Sequence, residues 1–146
     1  MDVTVSGVIK APPEEVFDYI SDATHWPEWH MDMRHVERSS GPTGGGVGTV
    51  YRYSSKVGGL TIAGTLTVTA FEPGRRLAWE GEWAAGLKPR GEYRVDPVPE
   101  GALWIAHLTP EPRGAMRLMR PIVGRQIRRF NEEALQNLRK RFEARA

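Results

Sequence analysis

Residues 121–144 read PIVGRQIRRFNEEALQNLRKRFEA, and this stretch carries the one long helical apolar period in the 146-residue chain. Before it, from about Val47 to Thr109, apolar residues alternate with period two and are interrupted by Gly and Pro. An amphipathic helix that follows a set of strands has to bury its apolar face against their sheet. The sequence therefore predicts a curved sheet closed by one long helix around a hollow for a small molecule. The predicted apolar face recurs at steps of three and four residues: Ile127, Phe130, Asn131, Ala134, Leu135, Leu138 and Phe142.

Seven segments alternate as β-strands do and are joined by short turns, which predicts an antiparallel sheet. Gly58-Gly59 is typical of a hairpin turn, and residues 41–46 are expected to form a loop. One predicted face is polar and carries Glu80, Glu82 and Glu92. The last strand is apolar on both faces, so the side that it turns inward stays open. The predicted strands are residues 3–9, 34–38, 47–56, 60–71, 76–83, 87–96 and 102–109.

Two short helices are predicted directly after the first strand. Prolines at the first turn, followed by Glu14 and Glu15, are typical of a helix N-terminus. A second short helix holds Trp26 and Trp29, and either Asp22 or Thr24 can cap it. No repeat or linker divides the chain, so we expect a single domain spanning residues 1–146.

Composition excludes several classes of protein. The chain has no cysteine, which excludes disulfides, thiolate catalysis and cysteine-ligated metal. It has no run of about 18 apolar residues that would span a membrane. The N-terminal residues lack the features of a secretory signal, so a cytoplasmic protein is expected.

Basic residues are concentrated in the last third of the chain. They predict either a basic surface for anionic lipid, nucleic acid or an acidic ligand, or a solvated outer face whose cations favour the helix C-terminus. The aromatic residues among them, Phe130 and Phe142, belong to the predicted apolar face and not to a basic platform, so we expect no nucleic-acid partner and favour the solvated face over a membrane surface. The oligomeric state is left open. These residues are Arg113, Arg117, Arg120, Arg125, Arg128, Arg129, Arg139, Lys140, Arg141 and Arg145.

Aromatic residues are abundant on the predicted inner face. Rigid rings with polar tips are typical of a cavity that binds and orients an apolar ligand. A filled core is the alternative, but inward glycines at Gly64, Gly81 and Gly91 favour a hollow because they remove volume. The predicted ligand-binding residues are Trp29, Tyr51, Tyr53, Ile62, Leu66, Trp79, Trp83, Tyr93, Trp104, Val123, Ile127 and Phe130.

Catalytic signals are sparse. His25, His30 and His35 are five residues apart, a spacing that does not bring metal ligands together on one helix face. Neither a metal nor a cofactor is therefore expected, and no phosphate loop or nucleophile elbow occurs. His30 and Tyr93 are the candidates for proton transfer. The alternative for His30 is a partly exposed loop residue.

Several short strings, in order, resemble one family. They are IKAPPEEVF (9–17), WPEW (26–29), GVGT (46–49), FEPGRRL (71–77) and the final helix rich in Arg and Leu. The chain is similar to the polyketide cyclase/dehydrase-like branch of the START/Bet v 1-like (SRPBCC) superfamily. The resemblance implies an α+β helix-grip fold, in which a seven-stranded antiparallel sheet surrounds the C-terminal helix and an apolar pocket. It carries over no catalytic motif, because members include cyclases, carriers of lipids and hormones, and proteins of unknown role.

Three functions follow as hypotheses. The first is a protein that binds a hydrophobic, ring-containing small molecule between the sheet and the C-terminal helix. The second is a polyketide cyclase or dehydratase that confines a folded substrate and moves protons on it. The third is a lipid carrier or a membrane-surface or partner-binding protein that uses the basic residues.

Overall fold

The computed structural model describes residues 2–30, 33–41, 46–57, 60–83, 88–110 and 114–144. These residues form the predicted α+β helix-grip fold. The strands are β1 (Val3–Ile9), β2 (Met33–Ser40), β3 (Val50–Val57), β4 (Leu60–Glu72), β5 (Arg76–Trp83), β6 (Arg90–Val98) and β7 (Gly101–Thr109). The helices are α1 (Pro13–Ile20), a first 3₁₀ helix (Ala23–Glu28), a second 3₁₀ helix (Gly114–Met119) and α2 (Arg120–Glu143).

The seven strands lie in the order β1-β7-β6-β5-β4-β3-β2, and neighbouring strands are antiparallel. Strands β2 to β7 form a meander, and β1 joins it beside β7 at the opposite edge from β2. The chain between β1 and β2 therefore has to cross the sheet. It does so through α1, which contacts β6 and β7, and through the first 3₁₀ helix, which contacts β2.

Strand β7 turns its even-numbered residues inward. Ala102, Trp104, Ala106 and Leu108 are buried, and the register pairs Trp104 with Gly7 of β1 and Val95 of β6. The sequence did not show which set of alternate β7 side chains faces the core, because both sets are apolar. The register of β7 with β1 and β6, which each have one apolar face, determines that the even-numbered set does.

The two short helices cover the inner face of the sheet. Helix α1 buries Val16, Phe17 and Ile20, at the spacing of one helix face. Asp22 caps the first 3₁₀ helix, since its Oδ1 accepts a hydrogen bond of 3.0 Å from the backbone N–H of Thr24. Of the two predicted caps, the structure therefore selects Asp22.

Helix α2 packs along β1 and β7. Its Leu135 lies against Gly7 so closely that a β-carbon at Gly7 would be 2.5 Å from Leu135 Cδ2. Arg139 fixes the same contact, because its Nε donates a hydrogen bond of 2.9 Å to the carbonyl of Val8. The buried residues of α2 are Gly124, Asn131, Ala134, Leu135, Leu138 and Phe142.

Some predicted boundaries were wrong. Strand β3 begins at Val50, because Gly48 has a φ of 92° that turns the chain before the strand. Strand β6 begins at Arg90 and continues to Val98, two residues beyond its predicted end. Pro97 still pairs with Ala102, so the turn to β7 begins only after Val98. The predicted strand start at Leu87, the Gly58-Gly59 turn and residues 42–45 of the predicted loop lie outside the described residues.

Candidate functional site

Six side chains form an aromatic cluster on the inner face of the sheet, with Tyr93 at its centre. Its ring centroid lies 5.3 Å from that of Trp26, 5.6 Å from Trp29, 5.8 Å from Trp104 and 6.4 Å from Trp79. Most of these contacts are edge-to-face or tilted, the geometry that aromatic quadrupoles favour. We call Trp26, Trp29, His30, Trp79, Tyr93 and Trp104 the aromatic cluster.

Two parts of the chain supply the cluster. Trp79, Tyr93 and Trp104 come from the neighbouring strands β5, β6 and β7, where the period of two turns them to one face. The other three come from the first 3₁₀ helix and the two residues that follow it. Helix α2 also holds this segment, because Asn137 Nδ2 donates a hydrogen bond of 3.1 Å to the carbonyl of Trp29.

His30 and Tyr93, the two catalytic candidates, are in contact. His30 Nε2 lies 2.9 Å from the Tyr93 hydroxyl, and the side chains are 6% and 1% exposed. The interpretation of His30 as a partly exposed loop residue is therefore wrong, because the turn after the first 3₁₀ helix directs it into the interior. An imidazole and a hydroxyl at this distance can exchange a proton, with the donor set by the imidazole tautomer.

The indole N–H groups of the cluster differ in their partners. Trp26 Nε1 donates a hydrogen bond of 2.8 Å to the carbonyl of Ile20. The Nε1 atoms of Trp29, Trp79 and Trp104 are buried and have no acceptor among the described residues. A buried donor without an acceptor costs about 1–3 kcal/mol. Three such donors around Tyr93 make this interior suited to a molecule that carries hydrogen-bond acceptors.

The other predicted residues of the sheet lie on the same face. Tyr51, Tyr53 and Leu66 are buried, and Ile62 is half-buried. Burial, with the nearby Asp22 carboxylate, raises the pKa of Tyr51 above its ordinary value, although the backbone N–H of Ala23 opposes the shift. Trp83 ends β5, and its side chain lies outside the described part of the chain.

The predicted residues of α2 are less buried than those of the sheet. Val123, Ile127 and Phe130 are half-buried, and Ile127 packs against the core. Beside them, Asn131 is 4% exposed and donates a hydrogen bond of 2.8 Å to the carbonyl of Ile127. Its Oδ1 has no donor among the described residues. Asn131 thus adds a polar atom that the apolar period of the sequence did not distinguish.

The inner face around Gly91 is filled by a packed side chain and holds no preformed hollow. The Trp79 indole fills the space above Gly91, so a β-carbon there would lie 2.6 Å from Trp79 Cε2. The inference that this glycine marks a hollow was wrong, because the glycine makes room for a ring. A concavity of about 670 Å³ lies instead on the polar outer face, beside Thr67, Glu80 and Glu82.

Two general features of the described residues bear on the site. They contain no group of three or more His, Asp or Glu side chains arranged to hold a metal ion. None of the helices described above has the length and apolar character needed to cross a membrane.

Comparisons with known proteins identify the family. The family model described as polyketide cyclase / dehydrase and lipid transport matches residues 1–143. The uncharacterized protein Rv2574 of Mycobacterium tuberculosis H37Rv is 31% identical over 141 residues, which cover 91% of this chain and 79% of that protein.

Two solved structures share the fold along the whole chain. A START superfamily protein from Mycobacterium smegmatis has a TM-score of 0.79 at 16% identity, covering 100% of this chain and 98% of that chain. The di-domain ARO/CYC BexL from the BE-7585A biosynthetic pathway has a TM-score of 0.81 at 18% identity, covering 100% of this chain and 51% of that chain. With the match of the family model to residues 1–143, the chain belongs to the polyketide cyclase/dehydrase and lipid transport family, which confirms the polyketide cyclase/dehydrase-like resemblance of the sequence strings, and it shares the fold of the START superfamily protein.

Proposed function

We propose that this protein binds a hydrophobic, ring-containing small molecule between the inner face of the sheet and α2. The family and fold fit a domain of this general kind. The observation that carries the proposal is the set of buried indole N–H groups of Trp29, Trp79 and Trp104, which have no acceptor among the described residues. Such donors are rare in a folded interior because each loses its hydrogen bonds to water. A ligand with oxygen atoms on a flat apolar frame restores those bonds and keeps the surrounding apolar contacts.

Entry of the ligand requires the packed rings to separate. Each ring pair contributes about 0.5–1.5 kcal/mol beyond its buried area, and a flat ligand stacked between two rings replaces that contact with two others. In the first half of α2, the apolar side chains Val123, Ile127 and Phe130 are half-buried, whereas those of the second half are buried. The first half is therefore packed less tightly against the rest of the protein. We therefore assign the entrance to the first half of α2.

The first experiment is native mass spectrometry of the protein purified from its own host, followed by organic extraction. A retained apolar compound with aromatic absorbance is expected. If the protein carries no additional mass, a panel of aromatic ketones and polyphenols is titrated against tryptophan fluorescence. Absence of binding in both experiments contradicts the proposal.

Two variants test the site itself. Trp79→Phe keeps a ring and removes one donor, so the affinity for an oxygen-bearing ligand is expected to fall about tenfold, the value of one hydrogen bond. Phe142→Leu is the matched control, because Phe142 is a buried ring at the far end of α2, outside the aromatic cluster. Equal affinity losses in the two variants would assign the effect to general destabilisation.

A second candidate function is a polyketide cyclase or dehydratase, favoured by the contact between His30 and Tyr93. Cyclisation of a poly-β-ketone requires removal of a proton from a carbon next to a carbonyl and protonation of the carbonyl oxygen that is attacked. Loss of water then requires removal of a second proton from the carbon next to the new carbinol and delivery of a proton to the departing hydroxyl, so that a carbon–carbon double bond forms. A buried imidazole and hydroxyl 2.9 Å apart can accept and return these protons when the substrate lies against them.

Turnover assays on a panel of poly-β-ketones test this second function. Tyr93→Phe and His30→Gln are each expected to reduce turnover about 10²–10⁴-fold, the range of a general acid or base. Trp26→Phe, which changes the cluster without removing either group, is the control and should retain most activity. No turnover by the wild type, or equal turnover by all variants, contradicts this function.

A further inference from the structure

The second 3₁₀ helix and the first turn of α2 expose large apolar side chains. Leu118 is 87% exposed, Ile122 56% and Met119 41%, and in the described part of the chain Val47 is the other large apolar residue of comparable exposure. An exposed group of this kind commonly marks an interaction site, because transfer of each apolar side chain out of water lowers the free energy.

These side chains are not an edge of the core. At 3.6 residues per turn, Ile122 projects from the side of α2 opposite to its buried residues Leu135 and Leu138, and the exposed Leu118 precedes it in the second 3₁₀ helix. Arg125 and Arg129 continue the same outward side one and two turns later. The outward side of the helix therefore begins apolar and becomes basic.

Stability of α2 does not explain the basic residues at its start. Arg117 and Arg120 flank the N-terminus of the helix, where cations oppose the helix dipole, and the first turn has no acidic residue. Arg117, Arg120 and Arg125 are exposed and have no carboxylate within ion-pair distance among the described residues. A favourable interaction with the helix dipole explains only Lys140 and Arg141, which lie in the last turn of α2, where cations are stabilising.

We propose that the surface formed by Leu118, Met119, Ile122, Arg117, Arg120 and Arg125 docks onto an anionic lipid bilayer. We call these residues the docking surface. Apolar side chains enter the boundary between lipid headgroups and acyl chains, while arginines at the same level bind lipid phosphates in a forked geometry.

Charge and apolarity together select this partner. A nucleic acid would pair with the arginines but leave Leu118 and Ile122 in contact with its phosphates, and no exposed aromatic side chain of the surface could stack on a base. An acidic protein would satisfy the arginines, and it is the competing outcome of the test below. The inference is independent of the proposed function, because none of these residues belongs to the aromatic cluster.

The test is co-sedimentation of the full chain with vesicles of phosphatidylcholine alone or with about one third phosphatidylglycerol. The wild type is expected to bind the anionic vesicles about tenfold better than the neutral ones, and raising the salt to about 0.5 M should release it. Leu118→Ser/Ile122→Ser and Arg120→Gln/Arg125→Gln should each reduce binding at least about fivefold. Circular dichroism checks that each variant is folded, which is expected because the substituted side chains are exposed.

Matched controls separate the surface from net charge and general apolarity. Lys10→Gln/Lys140→Gln removes the same charge at the other end of α2, where the backbone N–H of Lys10 bonds to Glu143. Val47→Ser removes an equally exposed apolar side chain elsewhere. Both controls should bind as the wild type does. Equal binding to both vesicle types, no binding, losses as large in the controls, or binding to polyglutamate without binding to anionic vesicles overturns the proposal.

Discussion

Gly91 of β6 and Trp79 of β5 are direct cross-strand partners, and the Trp79 indole lies over the Gly91 α-carbon. The missing side chain of Gly91 therefore determines where the Trp79 ring can lie. That ring in turn contacts Tyr93 and Trp26, with centroid distances of 6.4 Å and 5.9 Å. One glycine on a strand thus sets the arrangement of half of the aromatic cluster.

We expect Gly91→Ala to destabilise the protein by about 1–3 kcal/mol, the usual cost of an extra methyl group in a packed interior. The added β-carbon would overlap the Trp79 ring, which has to move against its neighbours. Urea denaturation of the single variant and of Gly91→Ala/Trp79→Leu measures the effect. In the Trp79→Leu background the alanine should cost less than about half as much, because the overlapping ring is gone. Equal costs in both backgrounds would contradict this packing.

The contact between His30 and Tyr93 predicts a coupled pair. Tyr93→Phe and His30→Leu are each expected to cost about 1–3 kcal/mol, since each leaves a buried polar group without this partner. The double variant should cost less than the sum, with an interaction energy of about 0.5–3 kcal/mol. A double-mutant cycle by chemical denaturation measures it. Additive losses would mean that the 2.9 Å contact does not contribute to stability.

The fold was predictable because its signals are local and periodic. The strands β4 and β5 alternate with period two, and α2 repeats its apolar face from Ile127 to Phe142, over about four turns. These elements were therefore recognised within a few residues of their ends. The inward side of β7 was not predictable from its own residues. It depends on hydrogen-bond register with β6 and with β1, and β1 lies at the other end of the chain from β7.

The candidate site was predictable in composition and not in arrangement. The inward positions of the strand rings Trp79 and Tyr93 followed from alternation alone, whereas that of Trp104 depends on the register of β7. The burial of Trp26 and His30 among these rings did not, because it depends on how the first 3₁₀ helix packs against β5 and β6, which are far along the chain. For the same reason Gly91 was interpreted as a source of empty volume, although the ring that fills its place comes from another strand.

Alkaline pH is expected to destabilise the protein through Tyr19. Its hydroxyl donates a hydrogen bond of 2.8 Å to Glu28 Oε1, and the Arg141 guanidinium lies 4.0 Å from the ring centroid. Burial, followed by the bond to Glu28, raises the pKa of Tyr19 well above its ordinary value of 10.0, although the charge of Arg141 opposes the shift. Below about pH 10 the tyrosine is neutral in both the folded and the unfolded protein. Above it the unfolded protein loses the proton first, so the free energy of unfolding should fall as the pH rises.

Urea denaturation of the wild type and Tyr19→Phe between about pH 8 and pH 11 measures this effect. The variant lacks the ionisable group, so its free energy of unfolding should fall less steeply above pH 10. Tyr51→Phe is a second case, because burial raises the pKa of Tyr51 in the same direction. Parallel curves for the wild type and Tyr19→Phe would contradict the assignment of the alkaline loss to this residue.

The two halves of α2 are expected to respond differently to truncation of an apolar side chain. Leu138 is fully buried, so Leu138→Ala should cost about 2–5 kcal/mol, the sum of lost burial and a new cavity. Ile127 is only half-buried at the proposed entrance, and Ile127→Ala should cost less than about 2 kcal/mol because less apolar area is lost. If a ligand enters there, the same Ile127 variant should change the rate at which the ligand binds, whereas Leu138→Ala should not. Chemical denaturation and stopped-flow tryptophan fluorescence measure the two effects. Equal losses of several kcal/mol would mean that the first half of α2 covers a solid core, and the entrance assigned to it would then be wrong.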